Sequence, residues 1–479
     1  MNTHLLAMQL MAAQGCLGAF DTVYHHELTE ALPQRATARR ELAIHAVRAT
    51  IYGALFIGLS AWVWQGAWTW VLLALFGIEI VLTLWDFVVE DQTRLLPASE
   101  RVTHTVLAIN GGAFICLLLL GAPAALAEPP GFQYAPQGWL SVFLALCGVG
   151  VFASGMRDAF AARALPPAAM EPVHFDGGPQ TVLVTGATGF IGRSLVPALL
   201  ASGHRVIVLS REPRKAAWEY GGAVRAVASM CDLAPAESVD VIINLAGARI
   251  LGWRWSERRK AVLRGSRAGL TKDVVDWIAK AGRKPRLMIN ASAIGYYGIQ
   301  PQGSEQVLNE ASPPQAIFMS QLCQEWEAAA SRAREYGVPV ALARFGVVFG
   351  HGGALPGMLL PFRLGFGGRM GTGRQRNSWI HLYDLLAAMA HVWRLGAQAD
   401  GAWNFTAPQH PTQLEFAKSA AAALRRPSLM PAPAWPVQLL LGEQSALLLE
   451  GAAIAPARLL ASGFTFRFPT VEKALSDLV

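Results

Sequence analysis

TVLVTGATGFIG, residues 181–192, opens as an apolar, β-branched run and breaks into three glycines spaced three apart before a helical pattern resumes. Thr181 to Thr185 predict a buried parallel strand, with Gly186, Gly189 and Gly192 at the strand-to-helix turn. Each glycine has its own reason. Gly186 permits the tight turn, Gly189 lets backbone approach a pyrophosphate, and Gly192 lets the helix lie close on the strand. Thr188, Phe190 and Ile191 complete a loop whose N–H groups face an anion at the helix start. A glycine triplet is weak by itself; the strand before it and the helix after it supply the context the motif requires.

Working outward, a helix over 191–202 ends at Gly203, and a second strand, Arg205 to Leu209, delivers Ser210 and Arg211 to the place where a dinucleotide's adenosine ribose lies. An Asp or Glu there would accept from the ribose 2′-OH, whereas Arg211, backed by Arg214 and Lys215, suits a 2′-phosphate. NADP(H) is therefore expected rather than NAD(H). The alternative is a phosphate-free βαβ turn with a solvated basic strand end. Further strands over 224–227, 239–245, 287–291 and 340–345 alternate with helices, one of them around 318–336, which predicts a doubly wound parallel sheet. Strand 239–245 runs into Asn244, Leu245, Ala246 and Gly247, small residues against which a nicotinamide can lie at the carboxyl edge of the sheet.

The 479 residues are too many for one core, and 53% of them are hydrophobic while only 15% are charged. That excess sits before residue 157. Five spans are expected, over 4–20, 43–64, 68–89, 102–120 and 138–156, forming a membrane helical bundle over 1–156. No cleavable signal peptide is evident. Arg35, Arg39, Arg40, Arg94, Arg101, Arg157 and Arg163 fall in the loops after spans 1, 3 and 5, while the opposite loops carry no basic residue. The expected topology is an integral protein of a bacterial-type inner membrane with its N-terminus outside and everything after residue 157 in the cytoplasm. Residues 157–180 read as a linker rich in Pro, Ala and Gly. Five scattered cysteines suggest neither a disulfide framework nor a metal knuckle, and dispersed arginines without interleaved aromatics argue against a nucleic-acid partner.

Polar residues of the apolar region recur in i,i+4 pairs: Asp21 with His25, followed by His26, then Glu41 with His45, Asp86 with Glu90, and Glu100 with His104. All four pairs lie at one membrane edge. FDTVYHHELTEALP and WDFVVEDQTRLLP read as two copies of one unit, matching Asp21 to Asp86, Pro33 to Pro97, and Glu41/His45 to Glu100/His104. Glu79 shares a helix face with Asp86 and Glu90. Converging carboxylates and histidines are the ligand set of carboxylate-bridged metal sites. A bound iron, manganese or zinc is one expectation, with His25, Glu41, His45, Glu79, Asp86, Glu90, Glu100 and His104 as ligands; a haem on two of His25, His45 and His104 is another. Pairing of the same carboxylates with nearby Arg and His at the membrane rim is the alternative.

VTGATGFIG, NLAG, WRWSERRK, SRAGLTKDVV, ASAIGYYG, LCQEWEAAA, RFGVVFGHGGAL, GGRMGTGRQRNSWIHLYD and GFTFRFPTVEKAL together resemble the atypical, extended short-chain dehydrogenase/reductase family of epimerase-like proteins, often labelled cell-division-inhibitor-like. The resemblance covers about 180–479. It implies an NADP-binding Rossmann domain over 181–424, and a small α+β C-terminal cap of uncharacterised function over 425–479. Most extended reductases use Tyr-x3-Lys, and the equivalent positions counted back from Glu327 are Met319 and Cys323. Ser292, Tyr296 and Tyr297 are then the candidate catalytic residues. Trp253 and Trp255, with their neighbouring basic residues, line an anionic, flat substrate pocket or touch the membrane surface. His381, three before Asp384, is expected to orient a neighbour by hydrogen bonding, and the glycines of 365–373 suggest a lid. A membrane-anchored NADP-dependent oxidoreductase or epimerase acting on a small molecule is the functional expectation. An NADP(H)-binding sensor or scaffold without turnover, and an NADPH-fed membrane metal or haem protein, are the alternatives.

Overall fold

In a computed structural model, residues 3–29, 32, 38–93, 96, 98–164, 173–252, 254–428 and 430–479 are described; Pro33, Arg35, Arg94, Pro97 and Trp253 lie outside them. The chain divides into two units, Met1–Met170 and Glu171–Val479. Among the described residues, long apolar segments of the first unit satisfy their own backbone as five helices: α1 Thr3–Phe20, α2 Arg39–Ser60, α3 Ala67–Thr93, α4 Ala98–Ala127 and α5 Trp139–Ala164. Helix α1 continues as a π-helical turn over Asp21–Thr29. Four of the five, α2 to α5, are long and apolar enough to cross a membrane. Helix α1 is not among them: His4, Gln9 and Gln14 dilute its 18 residues, of which Ala7, Met8 and Met11 are buried. Helix α5 runs on through RDAFAARA to Ala164, beyond residue 156, because Ala and Arg favour helix.

Close packing of α2 on α5 depends on small residues. A Cβ on Gly148 would stand 2.7 Å from Ile57, and one on Gly155 would stand 2.7 Å from the Ala49 Cβ. Across the loops, Trp62–Gln65 pairs antiparallel with Gly131–Tyr134 and joins the two hairpins. Polar side chains gather at the opposite end of the helices, where Asp21, His25, Glu41, Asp86, Glu90 and Glu100 are all buried.

Short, mostly apolar runs of the second unit form seven parallel strands among the described residues, as expected where helices cover both faces of a sheet. They are β1 Thr181–Thr185, β2 Arg205–Leu209, β3 Arg225–Val227, β4 Val241–Asn244, β5 Leu287–Ala293, β6 Val340–Phe345 and β7 Gly401–Phe405. Their spatial order is β7-β6-β5-β4-β1-β2-β3. The order reverses at β1, which pairs with β2 on one side and β4 on the other, so the loop after Thr185 opens at the sheet's switch point. One core lies under α6 (Gly192–Ala201) and the helix Leu382–Leu395; the other lies under the helix Leu270–Lys280. The Asp384 carboxylate accepts from the backbone N–H groups of Arg467 and Phe468, both at 2.9 Å, and so ties the C-terminal segment to the sheet.

Candidate functional site

Register places the glycine turn. Thr185 ends β1 opposite Leu209 of β2 and Asn244 of β4, so Gly186–Gly192 is flanked by Ser210 and Arg211 on one side and by Leu245, Ala246 and Gly247 on the other. Gly186 has a φ of +68°, and a Cβ there would meet the Leu245 backbone at 2.8 Å; one on Gly192 would meet the Ala187 carbonyl at 2.3 Å. Gly189 is exposed, its N–H donates to the Gly186 carbonyl at 3.0 Å, and the Arg193 N–H donates back to the Gly189 carbonyl at 3.0 Å. The Phe190 ring fills the space that Cβ atoms on Gly350, Gly352 and Gly353 would enter, so the cradle rests on the RFGVVFGHGG loop. Thr188 and Ile191 are partly exposed, and the Tyr220 hydroxyl pins the turn by donating to the Ala187 carbonyl at 2.6 Å. Arg211, Arg214 and Lys215 are exposed just beyond β2.

A buried polar chain fixes the facing strand ends. The Thr185 hydroxyl donates to Asn244 Oδ1 at 2.5 Å and accepts from the Ala246 N–H at 3.1 Å. Asn244 Nδ2 donates to Asn290 Oδ1 at 2.6 Å and to the Thr271 hydroxyl at 2.8 Å. Sequence reasoning missed Arg267, whose guanidinium lies against Gly247 and donates to the Ala248 carbonyl at 3.1 Å. Its position in SRAG was the available signal.

The three candidate catalytic residues separate. Ser292 is buried at the end of β5 and donates to Glu327 Oε1 at 2.7 Å. Glu327 is held by Arg344 in a fork, Nε to Oε1 and a terminal nitrogen to Oε2, both at 2.8 Å. Tyr297 is 1% exposed; its hydroxyl donates to Asn404 Oδ1 at 2.6 Å and accepts from Arg344 at 2.9 Å, and burial holds its pKa above the usual value. Both belong to a closed framework. Tyr296 alone is partly exposed, with the Arg344 guanidinium 3.5 Å from its ring centroid. Met319 and Cys323 stand beside Gly295, and burial followed by the nearby Glu327 charge pushes the Cys323 thiol up to about 12, so it carries no charge at neutral pH.

Other expectations resolve toward packing. Arg254 donates to the Leu439 and Leu440 carbonyls, Lys260 pairs with Glu443 at 2.8 Å, and Trp255 packs edge-on to Phe318. His381 accepts from the Tyr383 N–H at 3.1 Å as a helix cap and faces Asp477 at 3.2 Å. The glycine-rich loop is held by backbone bonds between Gly371 and Ala432 (2.9 Å) and between Ala432 and Arg369 (2.8 Å).

In the helical unit, the structure brings together three groups of possible metal ligands among the described residues: Asp21, His26 and His104; Glu41, His45 and Glu90; Glu90, Glu100 and His104. Three expected ligands, His25, Glu79 and Asp86, stand outside them. His25 is occupied by Asp21 (2.8 Å) and Ser99 (3.3 Å), and Glu79 by Arg48 (3.2 Å) and Thr83 (2.7 Å). Asp86 meets His45 at 3.2 Å and Arg48 at 2.5 Å. His26 was missed as a ligand because an α-helix turns it off the Asp21 face. The π-helical turn, closing i to i+5, brings it to 3.4 Å from Asp21. The haem expectation does not fit. Of the three histidines it named, His25 is taken by Asp21 and Ser99, His45 faces Asp86 at 3.2 Å, and both nitrogens of His104 face carboxylates, so each is engaged by a carboxylate.

A seven-stranded doubly wound sheet with a glycine cradle at its switch point defines a dinucleotide-binding α/β unit. Residues 182–404 match the NAD dependent epimerase/dehydratase family, and residues 432–478 match a domain of unknown function, DUF1731. The chain is 36% identical over 303 residues to epimerase family protein YfhF of Bacillus subtilis, covering 63% of this chain and 98% of that protein. It is 39% identical over 309 residues to the chloroplastic SDR39U1 homologue of Arabidopsis thaliana, covering 63% and 87%. A crystal structure of human epimerase family protein SDR39U1 (isoform 2) with NADPH superposes with a TM-score of 0.56 at 36% identity, over 62% of this chain and 98% of that one. The chain therefore belongs to this epimerase family, of the extended short-chain dehydrogenase/reductase type.

Proposed function

We propose that the Glu171–Val479 unit binds NADP(H) and transfers hydride between its nicotinamide and a small-molecule substrate, as an oxidoreductase or epimerase. The observation that carries this reading is the cradle at Gly186–Gly192, a glycine turn at the sheet's switch point whose exposed Gly189 stands just before a helix start, beside exposed Arg211. The NADPH in the human relative supports the cofactor choice. Arg211→Ala is expected to weaken NADPH about 10-fold and leave NADH within about 2-fold, since only the former presents a 2′-phosphate to a guanidinium. Titration of each cofactor by nicotinamide fluorescence checks this.

Tyr296 is the proton-transferring group in this reading, because Ser292 and Tyr297 are committed to the Glu327–Arg344 framework. Tyr296→Phe is expected to lower kcat on any substrate found to oxidise NADPH by about 100-fold or more, with cofactor affinity unchanged. Unchanged kcat removes Tyr296 from the chemistry. One observation favours a second reading, an NADP(H)-binding sensor: Met319 and an uncharged Cys323 occupy the Tyr-x3-Lys positions. NADPH binding without oxidation over a broad panel of carbonyl compounds and nucleotide sugars would select it.

The Met1–Met170 unit anchors the protein in a membrane. Its helices turn apolar side chains outward, with Trp70, Val81, Leu84, Ile109, Leu120 and Leu146 all exposed, the inverse of a water-soluble bundle. Arginines at the polar edge, among them Arg39, Arg40 and Arg101, orient that edge to the cytoplasm, where NADPH is available.

A further inference from the structure

We infer that the helical unit holds a pair of divalent first-row transition ions at its polar end, one on Asp21, His26 and His104 and the other on Glu41 and His45, with Glu90 reaching both. No residue of the dinucleotide unit takes part. Within each of the three ligand groups the donor atoms lie within 4.8 Å of one another, and Glu90 and His104 each belong to two groups, so the groups form one continuous site. Metal–ligand bonds of about 2.0–2.2 Å put two donors on one ion about 3–4 Å apart, so binding calls for a contraction of less than about 2 Å. Mixed imidazole and carboxylate donors suit iron, manganese and zinc, and bundle cores build such sites from acidic and His side chains on facing helices.

Three observations separate this from a rim of ion pairs. First, the duplicated sequence is used crosswise. Asp21 of the first copy faces His104 of the second at 3.1 Å, and Asp86 of the second faces His45 of the first at 3.2 Å. The two halves of the site are thus related by the repeat. Second, Arg48 takes one oxygen of Asp86, while Asp86 Oδ1 and His45 Nδ1 have no hydrogen-bond partner among the described residues, in side chains 2% and 9% exposed. A buried polar atom without a partner is costly unless a ligand satisfies it. Third, a cavity of about 750 Å³ reaches Asp21, His26, His45, Asp86 and His104 from between apolar walls that include Phe56 and Ile115. A bound ion would therefore keep a coordination position open to a small molecule.

The full chain, purified in detergent from cultures supplemented separately with iron, manganese or zinc, is measured by elemental analysis. About two ions per chain are expected, with His45→Ala and His104→Ala each losing half or more and His4→Asn losing none. Because a ligand variant can misfold, wild-type protein stripped by chelator is also titrated with Mn(II), followed by loss of the free-ion resonance and by a rise in helix melting temperature. NADPH affinity is measured on the same samples and is expected to stay constant, which keeps failure here separate from failure of the dinucleotide reading. The proposal is overturned if wild-type protein carries less than a tenth of an ion per chain from every culture and the stripped protein takes up no Mn(II) at micromolar concentration. The cluster would then be a network of ion pairs.

Discussion

Gly189→Asp should reduce NADPH affinity by at least 100-fold while leaving the fold intact. Gly189 is exposed, it lacks the positive φ that a side chain would strain, and its added Cβ would approach only the Gly186 carbonyl, at 3.1 Å. The new carboxylate would stand in the anion site itself. A like charge about 4 Å from a phosphate oxygen costs ~4 kcal/mol at the dielectric of a protein surface, and each 1.4 kcal/mol is a factor of ten in binding. Gly186 and Gly192 are poorer tests, because side chains there collide with backbone and threaten the fold itself. Equal affinity in Gly189→Asp, read by fluorescence titration beside an unchanged melting temperature, would mean that the pyrophosphate lies elsewhere.

The second large effect concerns the Glu327–Arg344 pair. Both side chains are less than a tenth exposed, and the pair also holds Ser292 and Tyr297. Removing one partner leaves a buried charge uncompensated, which costs about 3–5 kcal/mol. Glu327→Gln and Arg344→Met should therefore each lower the melting temperature of this unit by on the order of 10 °C. Glu327→Leu combined with Arg344→Met removes both charges and should recover part of that loss. Scanning calorimetry of the detergent-solubilised chain measures all three. If each single variant melts within a degree or two of wild type, the pair does not organise the strand ends around Tyr296.

Much of this fold can be read from residue pattern. Thr181–Thr185, Arg205–Leu209 and Val340–Phe345 are strands to the residue, because mostly buried parallel strands are short, largely apolar runs bounded by turn residues. The glycine triplet was legible for a related reason: each glycine answers a separate steric demand of the turn. What stayed hidden depends on contacts between distant segments. Arg344 reads as the charged end of a strand, and nothing local says that its fork closes on a carboxylate 17 residues earlier, on the helix Phe318–Ser331. Tyr296 and Tyr297 are adjacent and chemically alike, yet a tight turn buries one and leaves the other accessible. In the helical unit the i,i+4 pairs were visible, but Arg48 and His26 were not assigned. Arg48 bonds a carboxylate 38 residues away on another helix, and α-helical counting cannot anticipate a π-helical turn. Helix α5 outran its expected end because Ala and Arg continue a helix where apolar character stops.

The most direct test is a structure of the full chain determined with NADPH. Pyrophosphate is expected against the backbone N–H groups that follow Gly186, the 2′-phosphate within hydrogen-bond reach of Arg211, and the nicotinamide beside Leu245–Gly247 with Tyr296 the nearest hydroxyl to C4. Absence of bound nucleotide at millimolar NADPH, or a nucleotide bound away from this loop, would contradict this expectation.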